Sequence, residues 1–503
     1  MALQPYTIIE QSMVSPPVGS VPSTTLPVSV YDLATSHSLL VQWLSFYEFP
    51  HSVEYFEETV VPCLKNSLSL ALQLFFPLAG NFMCPPPPTK PYILYNDGDS
   101  VQFTVAVADS TANFEHLVMD NYPRDLEDLL HFVPNKLPPI HVKGDDILVF
   151  PLMALQVTIF PNLAFSVGVT FNHVVADGSA VSHFLKTWAL ICKNGEEYVK
   201  CLQDENLLPL HDRSLFDNIP NLMEIEPSIL MAFRNWESKQ KEEDKDPSHD
   251  SQVHQKSLVT FIMDGAQIER LKHWVENQSR NNSDSVHLST FVVTSALIWV
   301  CIVKSEMIGA NKFLDDKDQQ WNLVFPANTR SRLENPIPNT YFGNCLVPCV
   351  ASIKKRDLLG ANGIVAAAKA IGNKVQELQI YKDLPLEKDY QDLMEAIPNQ
   401  GVSTGTSSLK FGFYEIDFGW GRPKKLDFVH TNPSSPLTES ILSDTKYDKC
   451  GIQASLFGIR AKLDNFKALF EESLKMIDSA HEEAVEEIKD TTQAVDPNSG
   501  YNN

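Results

Sequence analysis

The chain has 503 residues, a length that predicts two or more domains with room for a cleft between them. Its 40 basic and 63 acidic residues give a net charge of −23, which argues against nucleic acid and anionic membranes as partners. The eight cysteines show neither a CxxC pair nor metal-ligand spacing, so we expect reduced thiols, no metal and a cytosolic protein. Residues 1–11 lack the basic region and apolar run of a secretory signal, which also favours the cytosol.

Helical and strand patterns alternate along the chain, which predicts a mixed α and β fold. In the first half they predict a helix at Leu64–Leu74, a hairpin formed by strands at Ala154–Phe160 and Phe165–Asn172, and a helix from about Gly178 to Gly195. Apolar and polar residues alternate in the second strand of the hairpin, so we expect one buried face and one exposed face.

The highly polar segment 237–256 is the best candidate for a linker. We therefore predict an N-terminal domain at 1–236 and a C-terminal domain at 257–475. The second half predicts a strand at Leu258–Met263, a helix from about Ala266, and a buried helix at Phe291–Val303 that is too short to span a membrane. Residues 476–503 are rich in acidic side chains, and we expect this tail to fray.

The segment Phe171–Gly178 (FNHVVADG) is the most informative, because it places His173 on a turn between a predicted strand and a predicted helix. A neutral imidazole with a pKa of about 6.5 can accept a proton near neutral pH, and such a base contributes about 10²–10⁴-fold to a rate. The alternative is a histidine that only closes the strand. Two other histidines have the same spacing to an aspartate but lack this setting, and we interpret them as surface residues: His116 with Asp120, and His141 with Asp145.

Asp177 and Gly178 support the turn in this interpretation. Asp177 precedes the helix, where it can cap the N-terminus or pair with an arginine, and a role in tuning His173 is the alternative. Gly178 permits a tight turn and leaves space beside the imidazole.

A second motif, Asp417–Gly421 (DFGWG), predicts a sharply bent loop anchored by the Trp420 ring. Its DFG triplet also occurs in protein kinases, but no glycine-rich phosphate loop or HRD-like loop accompanies it. Gly401–Gly405 matches the G-x-S-x-G nucleophile elbow with Ser403 at its centre. That motif requires a helix after it, and the residues that follow alternate like a strand.

These motifs together resemble the BAHD acyltransferases, plant enzymes that transfer acyl groups from coenzyme A thioesters. His173, Asp177 and Gly178 match the HxxxDG motif of that family, and Asp417, Phe418, Gly419, Trp420 and Gly421 match its DFGWG motif in full. The related peptide-synthetase condensation domains carry a second histidine where this chain has Asn172. The resemblance spans about residues 5–475 and includes four further segments: Leu26–Asp32, Phe76–Gly80, Asn328–Leu333 and Tyr341–Cys345.

The resemblance implies a two-domain fold like that of chloramphenicol acetyltransferase, with an active-site channel between the domains. It implies that acyl-CoA and a hydroxyl acceptor meet at His173, that no cofactor is tightly bound, and that the protein is a monomer. By the same resemblance, Asp417 lies away from the chemistry and pairs with an arginine, for which Arg330 is the candidate. The strip expected to line the acceptor site is Thr406, Ser407 and Ser408.

Tyr341–Cys345 (YFGNC) resembles the motif of the branch that acylates glycosides of flavonoids and other phenolics. This branch favours a malonyl donor, with acetyl and hydroxycinnamoyl groups as competitors. A malonyl carboxylate needs a cation, and the chain has none between His173 and His183, which leaves Lys186, Lys410 and Arg422 as the candidates. Two other functions stay open at this stage: an esterase with Ser403 as nucleophile, and a binding protein without catalytic activity.

Overall fold

The computed structural model describes residues 5–34, 40–86, 88–109, 112–134, 137, 140–142, 147–204, 207–216, 256–279, 288–309, 318–380, 401–429 and 438–493. They form three β-sheets with helices packed around them, which confirms the mixed α and β class. Of the predicted linker, residues 237–255 lie outside the described residues, and Lys256 already belongs to a strand.

A six-stranded sheet is built almost entirely from the first half of the chain. Its strands in spatial order are β1 (Tyr6–Val14), β6 (Val101–Ala108), β10 (Met153–Phe160), β11 (Ala164–Asn172), β3 (Leu40–Glu48) and β16 (Lys425–Phe428). β10 and β11 form the predicted hairpin, which is thereby confirmed. β16 comes from the second half and pairs antiparallel with β3.

The expectation that β11 is half-buried is wrong, because all its residues are buried. Its polar face is covered by the segment 131–134. A Cβ atom at Gly168 would lie 2.1 Å from the carbonyl oxygen of Phe132, and the Thr170 hydroxyl donates to the carbonyl of Pro134. A second layer thus packs closely on this face of β11. That is why its small and hydroxyl-bearing residues alternate with the large apolar residues of the other face.

A seven-stranded sheet belongs mainly to the second half, and a five-stranded sheet lies in the first. The larger sheet runs β14 (Leu346–Lys354), β13 (Gln320–Asn328), β15 (Val402–Ser408), β17 (Glu439–Ser443), β18 (Ile452–Ile459), β12 (Lys256–Met263) and β7 (Arg124–Asp125). The smaller runs β2 (Thr24–Pro27), β5 (Tyr92–Tyr95), β4 (Asn81–Cys84), β9 (Ile147–Pro151) and β8 (Ile140–Val142). Since β7 comes from the first half, each half contributes one strand to the main sheet of the other.

Buried ions join the two exchanged strands. Arg124 of β7 forms two hydrogen bonds to Asp427 of β16, of 2.5 and 2.9 Å, and both side chains are fully buried. Lys425 lies 3.7 Å from the same carboxylate, and Arg124 also donates to the Thr260 hydroxyl of β12. Charges buried in this way must be paired, because each is costly to remove from water. The cluster therefore ties the two large sheets together.

Twelve α-helices are described: α1 (Val30–Ala34), α2 (Val53–Tyr55), α3 (Val61–Leu74), α4 (Phe114–Leu117), α5 (Leu126–Leu130), α6 (Gly178–Asn194), α7 (Glu197–Asp204), α8 (Gly265–Ser279), α9 (Thr290–Met307), α10 (Lys355–Leu359), α11 (Gly363–Ile380) and α12 (Arg460–Gln493). A π-helical turn at Phe56–Val60 and three 3₁₀ turns at Phe76–Leu78, Ser214–Phe216 and Phe413–Glu415 complete the described helical residues. The helices predicted near residues 64, 178, 266 and 291 are all present.

Two helices differ from expectation. α9 has 18 residues and a mean hydropathy of 1.5, enough by length and composition alone to cross a bilayer, but 72% of it is buried inside the protein. Of the tail 476–503 that was expected to fray, residues 476–493 continue α12 and residues 494–503 lie outside the described residues. Ile477 is buried there, and Asp478 accepts a 2.6 Å hydrogen bond from Arg270 of α8, so this part of the tail has contacts that hold it.

Candidate active site

The turn that carries His173 is closed by its own hydrogen bonds. The Asn172 side chain accepts from the backbone N–H of Val174 at 3.1 Å, and its carbonyl accepts from Val175 at 3.1 Å. Asp177 then caps α6 by accepting from the N–H of Ala180 at 3.0 Å. The end of β11 and the beginning of α6 are thus fixed relative to each other, with His173 between them.

The imidazole of His173 is half-buried and contacts the side chain of Asn344. The two atoms are His173 Nδ1 and Asn344 Oδ1, 3.1 Å apart. The Asn344 amide is oriented by its nitrogen, which donates to the carbonyls of His173 and Val174 at 2.9 and 3.3 Å and to the carboxylate of Asp32 at 2.9 Å. The oxygen of Asn344 must then face the ring, so Nδ1 carries the proton and Nε2 keeps its lone pair.

The surroundings keep this ring neutral. Burial lowers the pKa of His173 below its usual value, because it disfavours the charged form. The contacts with Asn344 and the carboxylates of Asp177 and Asp32 act in the opposite direction but do not offset the burial. Burial therefore favours the unprotonated ring, which is the form that accepts a proton.

The carboxylate of Asp177 binds an arginine and backbone groups. Arg330 donates to it through both terminal nitrogens, at 2.7 and 3.1 Å, and the N–H of Cys345 donates at 3.0 Å. Both side chains of the ion pair are 1% exposed. The helix cap and the arginine pair suggested by the sequence are both present, and they anchor the turn to the segment that contains Asn344.

Gly178 is required for a different reason from the one expected. Its φ is not positive, so the turn itself does not need glycine. A Cβ atom there would lie 2.7 Å from Cε2 of the Phe411 ring, and Ser182 one turn later donates to the carbonyl of Phe411 at 2.8 Å. The absent side chain gives space to the Phe411 ring, which brings a segment of the second half against the start of α6.

The DFGWG loop lies at the opposite end of α6. Asp417 accepts from Lys193 at 2.6 Å and from the N–H groups of Gly419 and Gly421 at 2.8 and 3.0 Å. Both glycines have positive φ, +109° and +104°, a conformation that other residues rarely adopt. Burial raises the pKa of Asp417, but these three hydrogen bonds outweigh it and the pKa is lowered.

The aromatic residues of this loop anchor it as expected. Phe418 is buried, with its ring 4.7 Å from Trp188 of α6 and 5.8 Å from Tyr47 of β3. Trp420 lies edge-on to Phe165 at 6.2 Å, at the start of β11. His173 follows the other end of β11, eight residues from Phe165, or about 26 Å at roughly 3.3 Å per residue.

The predicted pairing of Asp417 with Arg330 is wrong. Arg330 is bonded to Asp177 at the beginning of α6, whereas Asp417 is bonded to Lys193 in its last turn. Sixteen residues of helix separate these two points, or about 24 Å at 1.5 Å per residue. A carboxylate at one end of the helix cannot reach a guanidinium at the other.

The remaining candidates lie on β15. Thr406, Ser407 and Ser408 pair in parallel with Ile441, Leu442 and Ser443 of β17. Their role as acceptor-lining residues stays a prediction, because their side chains lie outside the described part. Ser403 lies within the same strand, 1% exposed, and pairs in register with Leu323 of β13. The strand–turn–helix setting of a nucleophile elbow is absent at this described position.

Sequence reasoning missed three residues that complete these sites: Asn344, Asp32 and Lys193. Asn344 belongs to the YFGNC segment, which was noted as a motif without a role for the amide. Asp32 follows Ser29 in an S-x-x-D pattern that indicates a helix cap, but nothing local indicates its contact with Asn344, 312 residues away. In the described part of the chain, no group of three or more His, Cys, Asp or Glu residues could hold a metal ion.

Comparison with known proteins identifies the class. The profile of the Transferase family matches residues 5–473. The chain is 37% identical over 486 residues to the coumaroyl-CoA:anthocyanidin 3-O-glucoside-6''-O-coumaroyltransferase 1 of Arabidopsis thaliana, a match that covers 94% of this chain and 98% of the relative. It is 34% identical to the malonyl-coenzyme A:anthocyanin 3-O-glucoside-6''-O-malonyltransferase of Dahlia pinnata, with 88% of this chain and 92% of that protein covered.

Solved structures agree on the fold. Vinorine synthase matches with a TM-score of 0.64 at 18% identity, over 92% of this chain and 96% of that one. A protein of F. sporotrichioides solved with coenzyme A and T-2 matches with a TM-score of 0.60 at 15% identity, over 88% and 97%. The expected two-domain fold is therefore confirmed, and the protein is an acyltransferase. It belongs to the Transferase family, the BAHD acyltransferases, which use acyl-CoA as co-substrate.

Proposed function

We propose that this enzyme transfers an acyl group from coenzyme A to a sugar hydroxyl of a phenolic or flavonoid glycoside, with Nε2 of His173 as the general base. The observation that carries the proposal is the contact between Nδ1 of His173 and Asn344 at 3.1 Å, which leaves Nε2 as the acceptor. The acceptor class is supported by relatives named as anthocyanidin and anthocyanin glucoside acyltransferases.

The chemistry needs only one proton acceptor. Nε2 removes the proton of the acceptor hydroxyl while its oxygen attacks the thioester carbonyl, and a tetrahedral oxyanion forms. When this intermediate collapses, the carbon–sulfur bond breaks and the imidazolium returns its proton to the coenzyme A thiolate. Both substrates are bound together, so the enzyme supplies proximity as well as base catalysis. No acyl-enzyme is formed on this route.

The donor we propose is an uncharged hydroxycinnamoyl group rather than the malonyl group that the motif favoured. A malonyl carboxylate lies one methylene from the thioester carbonyl and needs a cation there. Arg330 and Arg213 bind carboxylates close to the motif, but their side chains are only 1% and 2% exposed. Arg330 is bonded to Asp177 and Arg213 to the carbonyl of Phe342.

Lys186 of α6 is also poorly placed for a malonyl group. Lys186 lies eight residues beyond Gly178, about 12 Å along the helix. Its Nζ is next to Gly412, on the side where the carboxylate of Glu415 also lies. The two relatives named for coumaroyl transfer, at 37% and 36% identity, support the same donor as this charge distribution.

An esterase centred on Ser403 is not supported, because its hydroxyl lies within a buried strand. The test of the proposal is a mass-spectrometric screen of coumaroyl-CoA, malonyl-CoA and acetyl-CoA against anthocyanidin and simple phenolic glucosides, with three proteins. We expect the wild type and Ser403→Ala to acylate a sugar hydroxyl and His173→Ala to lose the activity by at least about 10²-fold. Activity retained in His173→Ala, or acyl label retained covalently on the wild type, would contradict the mechanism.

Donor preference is read from the same screen. We expect kcat/KM for coumaroyl-CoA to exceed that for malonyl-CoA by at least about tenfold, which corresponds to roughly 1.4 kcal/mol in the transition state. A preference for malonyl-CoA that disappears in Lys186→Ala would show that the lysine supplies the missing cation and would refute the donor assignment.

A further inference from the structure

The carboxylate of Asp32 binds Asn344, the residue whose side-chain oxygen contacts the imidazole of His173. Its Oδ1 accepts two hydrogen bonds from the same residue, from the backbone N–H of Asn344 at 3.0 Å and from the side-chain Nδ2 at 2.9 Å. Asp32 is fully buried. A buried carboxylate that holds both nitrogens of one asparagine fixes the position of that residue and also the direction in which its amide points.

Asp32 is itself held by a capping box at the start of α1. Ser29 donates to Oδ2 through its N–H at 2.9 Å and its hydroxyl at 2.7 Å, and the N–H of Asp32 donates back to the Ser29 hydroxyl at 3.2 Å. The guanidinium of Arg213 lies 3.4 Å from the same oxygen, with its side chain 2% exposed. Oδ2 is thus occupied by Ser29 and Arg213, and Oδ1 faces Asn344.

We propose that Asp32 is a positioning residue that holds the Asn344 amide in one orientation and so keeps the proton of His173 on Nδ1. This inference rests on the proposed role of His173 as the base. If the Asn344 amide flipped, its oxygen would face three acceptors at once: the Asp32 carboxylate and the carbonyls of His173 and Val174. Its NH₂ group would face Nδ1 and favour the tautomer with the proton on Nε2, which cannot accept a proton from the acceptor hydroxyl.

The arrangement differs from a direct carboxylate–histidine pair. The carboxylate of the motif aspartate, Asp177, is bonded to Arg330 through both of its oxygens. A neutral amide lies between Asp32 and the imidazole instead, so the ring is oriented without a full negative charge in contact with it. An amide favours one tautomer of the neutral ring, which is what a general base requires before it has accepted the proton.

The test compares Asp32→Ala and Asp32→Asn with Ser29→Ala as the matched control. Ser29→Ala removes two hydrogen bonds to Asp32, the 2.7 Å bond to Oδ2 and the bond from the Asp32 N–H. Oδ1 of Asp32 remains and can still hold Asn344. In Asp32→Asn the amide oxygen can still accept from Asn344, so this conservative variant should retain more activity than Asp32→Ala.

We expect Asp32→Ala to lower kcat by at least about tenfold while KM for each substrate stays within about threefold, since a wrongly placed histidine proton lowers kcat by up to about 10⁴ in serine proteases. Asp32→Asn should fall between Asp32→Ala and the wild type, and Ser29→Ala should lose less activity than Asp32→Ala, because the backbone N–H of residue 29 and Arg213 still hold Oδ2. Equal losses in Ser29→Ala and Asp32→Ala, or wild-type kcat in Asp32→Ala, would overturn the proposal.

The tautomer is read directly by ¹⁵N NMR of histidine-labelled full-length protein without substrates, with the His173→Ala spectrum used for assignment. We expect the wild-type ring to show a protonated Nδ1 and an unprotonated Nε2, and Asp32→Ala to show a mixture. A wild-type pattern in a folded Asp32→Ala protein would refute the role of Asp32. Because this spectrum needs no turnover, it separates the two claims: a locked tautomer in a protein that transfers no acyl group would refute the proposed function alone.

Discussion

Two aspartates belong to the two motifs of this enzyme, and the same substitution at each should have very different effects. Asp177→Asn removes the charge that pairs with Arg330, in a site where both side chains are 1% exposed. Asp417→Asn removes the charge that pairs with Lys193, where the side chains are 21% and 46% exposed. The shape of each side chain is nearly unchanged, so the comparison isolates the effect of burial on an ion pair.

The magnitudes follow from the geometry. Loss of one partner from a buried pair leaves the other charge uncompensated and costs about 3–5 kcal/mol in the free energy of unfolding. The amide oxygen introduced by Asp177→Asn could still cap α6, so the cap adds little to this loss. An exposed pair contributes less than about 1 kcal/mol, because water screens it, and the amide oxygen introduced by Asp417→Asn could still accept from the backbone of the loop.

Scanning calorimetry at one fixed heating rate measures the difference. At about 2 °C per kcal/mol for a cooperative unit of about 250 residues, Asp177→Asn should lower the unfolding temperature by about 6–10 °C and Asp417→Asn by less than about 2 °C. A loss in Asp417→Asn as large as that in Asp177→Asn would refute the reasoning, because it would show that exposure does not decide the strength of these pairs.

Three further outcomes are expected. The pH profile of kcat/KM should fall on the acid side with an apparent pKa below about 6.5, because burial lowers the pKa of His173 and the unprotonated ring is the active form; an apparent pKa above about 7 would contradict this. Gly168→Ala should destabilise the protein by about 1–3 kcal/mol through a 2.1 Å contact with the Phe132 carbonyl, whereas Gly405→Ala, with its nearest atom at 3.5 Å, should be tolerated in the same melts. Arg124→Met should destabilise by about 3–5 kcal/mol, because it leaves Asp427 buried without its bidentate partner, and unchanged melting would exclude a clamping role.

The parts of the fold that could be predicted are those with local signals. α6 was predictable at both ends, because its apolar residues recur at helical spacing and Gly195 ends it with a φ of +72°. The exchanged strands were not predictable: β7 has two residues, Arg124 and Asp125, and too short a pattern to distinguish from a loop. The polar face of β11 was misjudged for a related reason, since only the folded chain brings the segment 131–134 onto it.

The residues of the site also fall into those that local sequence signals place and those that only the tertiary structure places. His173 could be placed from the strand, turn and helix around it, which are all close to it in the sequence. Its contact, Asn344, is 171 residues away, and the choice between Lys193 and Arg330 as the partner of Asp417 depends on which end of α6 the loop approaches. The residue types of such partners can be inferred from chemistry, but their identities require the tertiary structure.

The position of the proposed base therefore depends on segments that are distant in sequence and converge only in the complete fold. His173 and Asp177 lie on a turn of the first half, whereas Arg330 and Asn344, which hold them, lie in the second. The exchanged strands keep these segments in place. β16 and its ion pair with Arg124 fix one large sheet against the other, so the two halves of the site cannot shift independently. A site assembled across two domains needs such a constraint, because an error of about 1 Å in the placement of catalytic groups can lower a rate by about 10²-fold.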